Sequence, residues 1–214
     1  MKKARYRRIR EVLEKRQPDL TVLAEDVYKP HNLSAMLRSC DAAGIGVVHA
    51  VTPTGGVPTF NETSAGAHKW VDLELHGEIA GAFEQLRERG MQILAAHFSE
   101  RALDYRDVDY TRPTAVLFGN EKRGVSQFAA ARADEHIVIP MLGMVESLNV
   151  SVATAIILFE AQRQRRQAGM YRWPRLSERE INDQAFRWLY PREAAIFESS
   201  GTAFPLLDED GSYT

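Results

Sequence analysis

The stretch IVIPMLGMVESLNVSVATAIILFEAQRQR occupies residues 137–165 and decides the fold of the chain. Its Ile-Val-Ile start predicts a buried strand, which must end at Pro140 because proline has no N–H to continue a strand ladder. Gly143 follows, and then a long apolar pattern at helical spacing begins at Val150. Ser147 or Asn149 can cap this helix, since both residue types accept hydrogen bonds from free backbone N–H groups.

The turn between this strand and this helix is a candidate binding site. Ligands of open α/β sheets bind beyond the carboxyl ends of the strands, and the turn leaves the strand at that end. The alternative is an ordinary strand-to-helix connection with no ligand.

Apolar runs and helical patterns alternate along the rest of the chain. The expected strands are residues 20–23, 47–51, 71–75, 92–96, 114–118 and 136–139. The expected helices are one that ends near Pro18, one capped by Asn32 or Ser34 that runs to Ala43 and Gly44, and those at 78–89 and 126–133. Alternation of this kind predicts an α/β fold, a parallel sheet with helices on both faces. The loop at 52–70 is long for a compact domain and is expected to be functional or mobile.

Composition is typical of a globular chain with additions at its ends. The chain has 214 residues, of which 44% are hydrophobic and 26% charged, enough for one proper core. We expect a basic N-terminal helical extension at 1–18, a main domain at 19–168, and a C-terminal helical extension with a frayed tail at 169–214.

Cysteine and histidine spacing gives no sign of a disulfide or a metal. Cys40 is the single cysteine, and the Cys and His residues do not have zinc-site spacing in the sequence. We expect Cys40 and His97 to be packed structural residues. The basic N-terminus has no apolar core of a signal peptide, and no run reaches membrane-spanning length. We therefore expect no metal, no export and a cytoplasmic location.

Positive charge is concentrated in two short segments. Residues 1–16 contain eight Lys or Arg and two Glu, and residues 155–175 contain five Arg and one Glu, which leaves 14 basic and 26 acidic residues elsewhere. Basic helices on an acidic body suggest an anionic partner such as RNA or DNA. A solvated helix face is the alternative for either segment.

Three segments contain the polar residues best suited to chemistry. They are KPHNLSAMLRSCDAAG at 29–44, FGNEKRGVS at 118–126 and the turn at 140–151. The glycines of the second segment allow backbone to approach a ligand, but the spacing of a dinucleotide or nucleoside triphosphate loop is absent.

Together with KRQPDL at 15–20 and TGGVPTFNETSAGAHKWV at 54–71, these segments resemble the ordered motifs of the SPOUT class of RNA methyltransferases, and within it the tRNA guanosine 2'-O-methyltransferases of the TrmH family. The resemblance covers about residues 5–172. It implies a parallel sheet whose C-terminal part forms a deep trefoil knot, a rare exception to the rule against knots. It also implies a homodimer, for which the apolar helix at 150–160 would suit burial against a second copy.

The resemblance implies S-adenosylmethionine (SAM) as methyl donor, held by three loops at 94–97, 117–121 and 139–148. Largely backbone groups would contact it. The expected cofactor-binding residues are Ala96, Leu117, Gly119, Asn120, Ile139, Met141 and Leu148.

The resemblance also assigns roles to polar side chains. Arg38 matches the family's catalytic arginine; because free guanidinium has a pKa above about 12, we favour phosphate binding and charge stabilisation over proton acceptance. Asn32 and His31 would orient Arg38 or the ribose, and Glu121 would brace its loop. Ser147 and Asn149 would shape the pocket, with pure helix capping as the alternative for Asn149.

The substrate implied is tRNA, with guanosine 18 of the D-loop as the methylated nucleotide. The expected RNA-binding residues are Arg7, Arg8, Arg16, His31, Arg163 and Arg165. Two alternatives remain: the same chemistry on ribosomal RNA, and a noncatalytic RNA-binding protein that keeps the fold.

Overall fold

The computed structural model describes residues 2–52 and 69–213, which contain helices and a parallel sheet. The helices are α1 (Lys2–Leu13), α2 (Pro30–Ala43), α3 (Ile79–Glu88), α4 (Gln127–Arg132), α5 (Val150–Gln167), α6 (Glu178–Leu189) and α7 (Pro191–Ser200). The strands are β1 (Leu20–Glu25), β2 (Val47–Val51), β3 (Asp72–His76), β4 (Gln92–Ala96), β5 (Leu103–Asp104), β6 (Thr114–Phe118) and β7 (Glu135–Val138).

The described strands form one sheet in the order β3-β2-β1-β6-β4-β7-β5, and every pairing in it is parallel. Strands β1 and β6 lie at the centre, where Leu20 aligns with Thr114. The parallel α/β fold expected from the sequence is therefore confirmed. The trefoil knot stays a prediction.

The sheet separates two apolar clusters, because alternate side chains of each strand point to opposite faces. Phe118 belongs to the cluster that contains residues of α2 and α5, whereas Leu117 belongs to the cluster that contains residues of α3 and α4. Both strand residues are almost fully buried. Continuous burial along β6 explains why its sequence, TAVLF, lacks polar alternation.

Helix α2 begins earlier than its sequence pattern predicted. Lys29 is the N-cap and Pro30 the first helical residue, so the predicted caps Asn32 and Ser34 lie inside the first turns. Proline is well suited to this first position because its missing N–H has no partner there in any helix. Gly44 ends α2 with a φ of 87°, as predicted.

Chain contacts divide the molecule into two compact units. The sheet unit is Pro18–Ala168, and the terminal unit combines the segment ending at Gln17 with the segment starting at Gly169. The terminal unit contains α1, α6 and α7. The predicted loop at 52–70 lies largely outside the described residues, as does most of the motif at 54–71.

The C-terminal tail packs within the terminal unit, so the prediction of a frayed tail is wrong. Tyr213 packs edge-on against Phe186 with ring centroids 5.0 Å apart, and the hydroxyl of Tyr190 donates to the carbonyl of Gly211 over 2.7 Å. Phe197 and Phe204 complete this aromatic cluster. Scattered aromatics in the sequence meet here because α6 and α7 present them to one side.

Candidate active site

A cleft of about 640 Å³ opens in the sheet unit, and all three segments chosen from the sequence contribute to it. Drug-sized ligands bind in pockets of about 300–1,000 Å³, so the cleft suits a nucleoside-sized molecule. Six of the seven expected cofactor-binding residues line it, namely Ala96, Gly119, Asn120, Ile139, Met141 and Leu148.

The seventh, Leu117, does not line the cleft. Its side chain is fully buried on the opposite face of the sheet, and Phe118 lines the cleft instead. The alternation of a strand sends neighbouring side chains to different faces. Because the expected cofactor contacts are largely through the backbone, the role of Leu117 stays a prediction.

The turn after β6 closes on itself and forms one wall of the cleft. Asn120 and Gly124 exchange two backbone hydrogen bonds, of 3.0 and 2.8 Å. The side-chain oxygen of Asn120 accepts from the N–H groups of Lys122 and Arg123, and its amide donates to the carbonyl of Asp26 over 2.9 Å. Asn120 therefore holds the turn in shape and ties it to the end of β1.

Gly119 is required where the two arms of this turn meet. A Cβ atom placed there would lie 2.1–2.2 Å from the backbone of Gly124 and Val125. No side chain can be accommodated at such distances, so only glycine permits the turn. By contrast, a Cβ atom at Gly143 in the third segment would have open space around it, with no described atom beyond its chain neighbours within 4 Å.

Three polar side chains from three different segments are joined by hydrogen bonds beside the cleft. The amide nitrogen of Asn32 donates to Glu121 Oε1 over 2.7 Å, and the amide nitrogen of Asn149 donates to Asn32 Oδ1 over 3.1 Å. The backbone N–H of Lys29 also donates to Glu121 Oε1, over 3.3 Å. Asn32 thus links the turn after β6 to the start of α5.

One carboxylate oxygen of Glu121 is available to accept a hydrogen bond from a ligand. Its Oε2 atom is buried and has no hydrogen-bond partner among the described residues. A buried carboxylate oxygen without a donor is costly, and a polar ligand group can satisfy it. Glu121 lines the cleft, so this oxygen is a candidate contact for a ligand.

Asn149 is the N-cap of α5, and its side chain accepts from the N–H of Ser151 over 2.8 Å. The capping interpretation is therefore confirmed for Asn149, which also makes the bond to Asn32. Ser147 lines the cleft and does not cap the helix.

Arg38 and His31 lie on the surface of α2 and do not line the cleft. They are seven residues apart, which is two helical turns, so they share one side of α2. Asn32, the residue after His31, is buried. Helix α2 therefore positions the Asn32 amide, which bonds to a cleft residue, and also the exposed side chains of His31 and Arg38.

Two residues expected to bind RNA are buried, and the structure corrects both predictions. Arg165 has no exposed surface; its guanidinium donates to Asp19 Oδ1 over 2.6 Å and to the carbonyls of Tyr110 and Arg112. Arg16 is only 3% exposed and lies over the ring of Trp188 at 5.6 Å. A basic residue used as a structural donor looks the same in sequence as one that faces solvent.

The other expected RNA-binding residues are exposed. Arg7 has an open side chain, Arg8 pairs with Glu11 at 3.3 Å, and Arg163 makes two bonds of 2.7 Å to Glu160. The Glu160 carboxylate raises the pKa of Arg163, which stays charged in any case. Arg163 thus has part of its charge balanced by its neighbour.

His97 is a cleft residue that the sequence interpretation treated as structural. It lines the cleft, and its ring meets that of His136 edge-on with centroids 5.0 Å apart. Burial, and then the nearby His136 and Arg101, lower the pKa of His97 below its ordinary value. The sequence feature that could have identified His97 as a cleft residue is its position directly after β4, at the carboxyl end of a strand.

The parallel α/β fold and the position of this cleft fit an RNA methylase of the SpoU class, and comparison with known proteins shows that class. Residues 19–159 match the SpoU rRNA Methylase family, and residues 163–213 match the C-terminal family described as SpoU, rRNA methylase, C-terminal. The chain belongs to the SpoU methylase family.

Individual proteins of known sequence or structure show which members of the family the chain resembles. The chain is 63% identical over 186 residues to a tRNA (guanosine(18)-2'-O)-methyltransferase of Thermus thermophilus, covering 87% of this chain and 96% of that protein. The solved structure of the Aquifex aeolicus TrmH/SpoU tRNA modifying enzyme matches with a TM-score of 0.84 and 46% identity, over 89% of this chain and 97% of that one.

A solved rRNA methyltransferase of Sinorhizobium meliloti with bound AdoMet also matches. Its TM-score is 0.63 at 31% identity, over 72% of this chain and 59% of that one. No helix among the described residues of the present chain is long and apolar enough to cross a membrane.

Proposed function

We propose that this chain transfers a methyl group from SAM to the 2'-hydroxyl of guanosine 18 in tRNA. The single observation that supports this best is the Glu121–Asn32–Asn149 network, which joins all three segments at one cleft. The names of relatives at 63% identity give the substrate. A cytoplasmic location is part of the proposal, because the substrate is tRNA.

The cleft fits SAM by volume and by the character of its walls. Apolar side chains, including Ile139, Met141 and Leu148, would surround the adenine, while backbone groups of the turns supply polar contacts. The buried Glu121 Oε2 offers an acceptor to a ligand hydroxyl or amine. Bound SAM would supply an electrophilic methyl group on a positively charged sulfur.

The residues of this chain would act mainly by positioning. Transfer needs the ribose oxygen, the methyl carbon and the sulfur in line, and well-oriented reactants gain on the order of 7–11 kcal/mol in ideal cases. Asn32, Glu121 and Asn149 would fix the cleft walls, and Ser147 would shape the entry of the ribose.

Arg38 would bind a phosphate of the RNA next to the methylated ribose. A guanidinium presents several donors in a fixed fork that matches phosphate oxygens. Its exposure on α2, two turns from His31, leaves both side chains accessible to a large substrate. Arg7, Arg8 and Arg163 would add affinity at the surface.

We propose that two copies of the chain form a homodimer through α5 and the turn before it. Val152, Ile156 and Phe159 recur at helical spacing, and Val152 and Phe159 are each almost half exposed. Leu142 and Met144 in the preceding turn are fully exposed. Apolar side chains this open suit burial against a second copy.

Sedimentation of the purified chain would test the dimer. We expect twice the monomer mass, and we expect Phe159→Glu to yield monomers because it would bury a charge in the interface. A monomeric wild-type chain at concentrations that support methyl transfer would contradict this part of the proposal.

The experiment that tests the function is methyl transfer from labelled SAM to purified tRNA and to ribosomal RNA fragments, with calorimetry of SAM binding. We expect SAM to bind and tRNA to be labelled. Label in ribosomal RNA alone would favour the alternative target, and absence of SAM binding would favour a noncatalytic RNA-binding protein.

A further inference from the structure

Two imidazoles and a carboxylate meet at the edge of the sheet, away from the residues that line the cleft. His49 aligns with Glu74 in the pairing of β2 with β3, and His76 lies two residues beyond Glu74. Side chains two residues apart on a strand point to the same face, so all three share one face of the sheet. Contacts from Gln85 and Arg89 to Glu74 place them on the side of α3.

The candidate ligand atoms of these three residues lie within 4.8 Å of one another. His49 Nδ1 is 3.0 Å from His76 Nε2 and 3.4 Å from Glu74 Oε2. Two ligand atoms held at Zn²⁺ distances by a tetrahedral ion lie about 3.3 Å apart. Small adjustments of the partly exposed Glu74 and His76 side chains would therefore bring all three residues into ligand positions.

The residue types of the cluster also suit a metal ion. Histidine imidazoles are common zinc ligands, since a ring nitrogen offers a lone pair to the ion. The rings are stacked with centroids 5.2 Å apart, and His49 Nδ1 is the nitrogen that approaches His76 Nε2.

We propose that His49, Glu74 and His76 bind one divalent transition-metal ion of the zinc type. Two imidazoles and one carboxylate are a known zinc ligand set, which leaves a fourth position for water. Glu74 and His76 are partly exposed, so that position opens to solvent, whereas His49 is fully buried. The ion would join edge strand β3 to β2.

The side chains of Gln85 and Arg89 contact Glu74 and would compete with the metal ion for its carboxylate. Gln85 donates to Glu74 Oε2 over 2.8 Å, and the Arg89 guanidinium lies 3.5 Å from both carboxylate oxygens. The positive charge of Arg89 opposes a second cation, and its side chain is exposed enough to turn away. Arg89→Ala should therefore tighten metal binding.

Calorimetric titration of the chelator-treated full chain with Zn²⁺ tests this proposal, with Co²⁺ absorption as a second readout. We expect one ion per chain and the visible bands of four-coordinate cobalt. His76→Ala and Glu74→Gln should each weaken binding by about 100-fold or more, since loss of even an outer-shell partner costs about 10–100-fold. His31→Ala is the matched control, because His31 is exposed on α2, and should bind as wild type does.

Thermal unfolding with and without Zn²⁺ shows whether a variant that fails to bind the ion is still folded. The wild type should melt at a higher temperature with the ion, whereas His76→Ala should melt at one temperature in both conditions. A folded wild type that binds neither ion would overturn the proposal, as would unchanged affinity in His76→Ala. Neither result depends on methyl transfer.

Discussion

The amide of Asn32 donates to Glu121 over 2.7 Å, although the two residues are 89 positions apart in the chain. Asn32 is 1% exposed and also accepts from Asn149. One side chain therefore fixes the relative position of α2, the turn after β6 and the start of α5. The proposed active site depends on this arrangement.

Removal of the Asn32 side chain should reduce methyl transfer. Asn32→Ala loses both bonds, and because hydrogen bonds to charged groups contribute about 1.5–3 kcal/mol, we expect a loss of at least about tenfold in kcat/KM. Glu121→Gln should be milder, since its oxygen can still accept from Asn32. Steady-state kinetics on tRNA would measure both, and full activity in Asn32→Ala would show that the network is dispensable.

Arg38→Ala should abolish most methyl transfer while SAM binding is retained. Loss of a group that stabilises transition-state charge costs about 100–1,000-fold in other enzymes. Arg38→Lys is the matched control: it keeps the charge but loses the guanidinium fork, so we expect partial rescue. Wild-type rates in Arg38→Ala would remove Arg38 from the catalytic assignment.

Gly119→Ala should open the turn after β6, because its Cβ would lie 2.1–2.2 Å from the backbone of Gly124 and Val125. We expect SAM affinity to fall by at least about tenfold, because a displaced turn would lose its contacts with the ligand. Gly143→Ala lies in another cleft segment with open space around it and should bind SAM normally. Equal affinity in the two variants, measured by calorimetry, would mean that the turn does not form the cofactor site.

Arg165→Ala should destabilise the protein, in contrast to Arg163→Ala. Breaking a buried ion pair costs about 3–5 kcal/mol, and Arg165 is buried against Asp19. An exposed pair such as Arg163 with Glu160 contributes about 0–1 kcal/mol. Urea unfolding would compare the free energies of unfolding, and similar values for both variants would contradict the structural role of Arg165.

SAM affinity should fall as the pH falls below the ordinary histidine value of 6.5. Burial lowers the pKa of His97, so the ring is neutral above that pH and becomes protonated only in more acidic solution. A protonated ring in the cleft would repel the positive sulfonium. Replacement by Gln should flatten this pH dependence in calorimetry, and an identical dependence in His97→Gln would assign it to another group.

Much of the sheet could be predicted from the sequence, because its strands are short runs of Val, Ile, Leu and Ala between clear breaks. Strands β2, β4 and β6 begin and end where the pattern predicts. The two-residue strand β5 was missed, since Leu103 and Asp104 have no pattern of their own and pair only because β7 lies beside them.

The candidate site could be predicted in part. Loop positions and the family resemblance identified the cleft-lining turns, which follow directly from strand ends. Burial of Arg16 and Arg165 could not be predicted, because a basic helix shows its charge in sequence but not which side chains pack inward. The cluster of His49 with Glu74 and His76 was equally hidden, since strand pairing brings together residues 25 or more positions apart.

Mapping the methylated nucleotide in tRNA incubated with this protein and labelled SAM tests the central claim most directly. We predict a single 2'-O-methyl group at guanosine 18, lost in Arg38→Ala and absent from tRNA in which that ribose lacks its 2'-hydroxyl. Label on a base, at another nucleotide, or on no RNA at all would contradict the account.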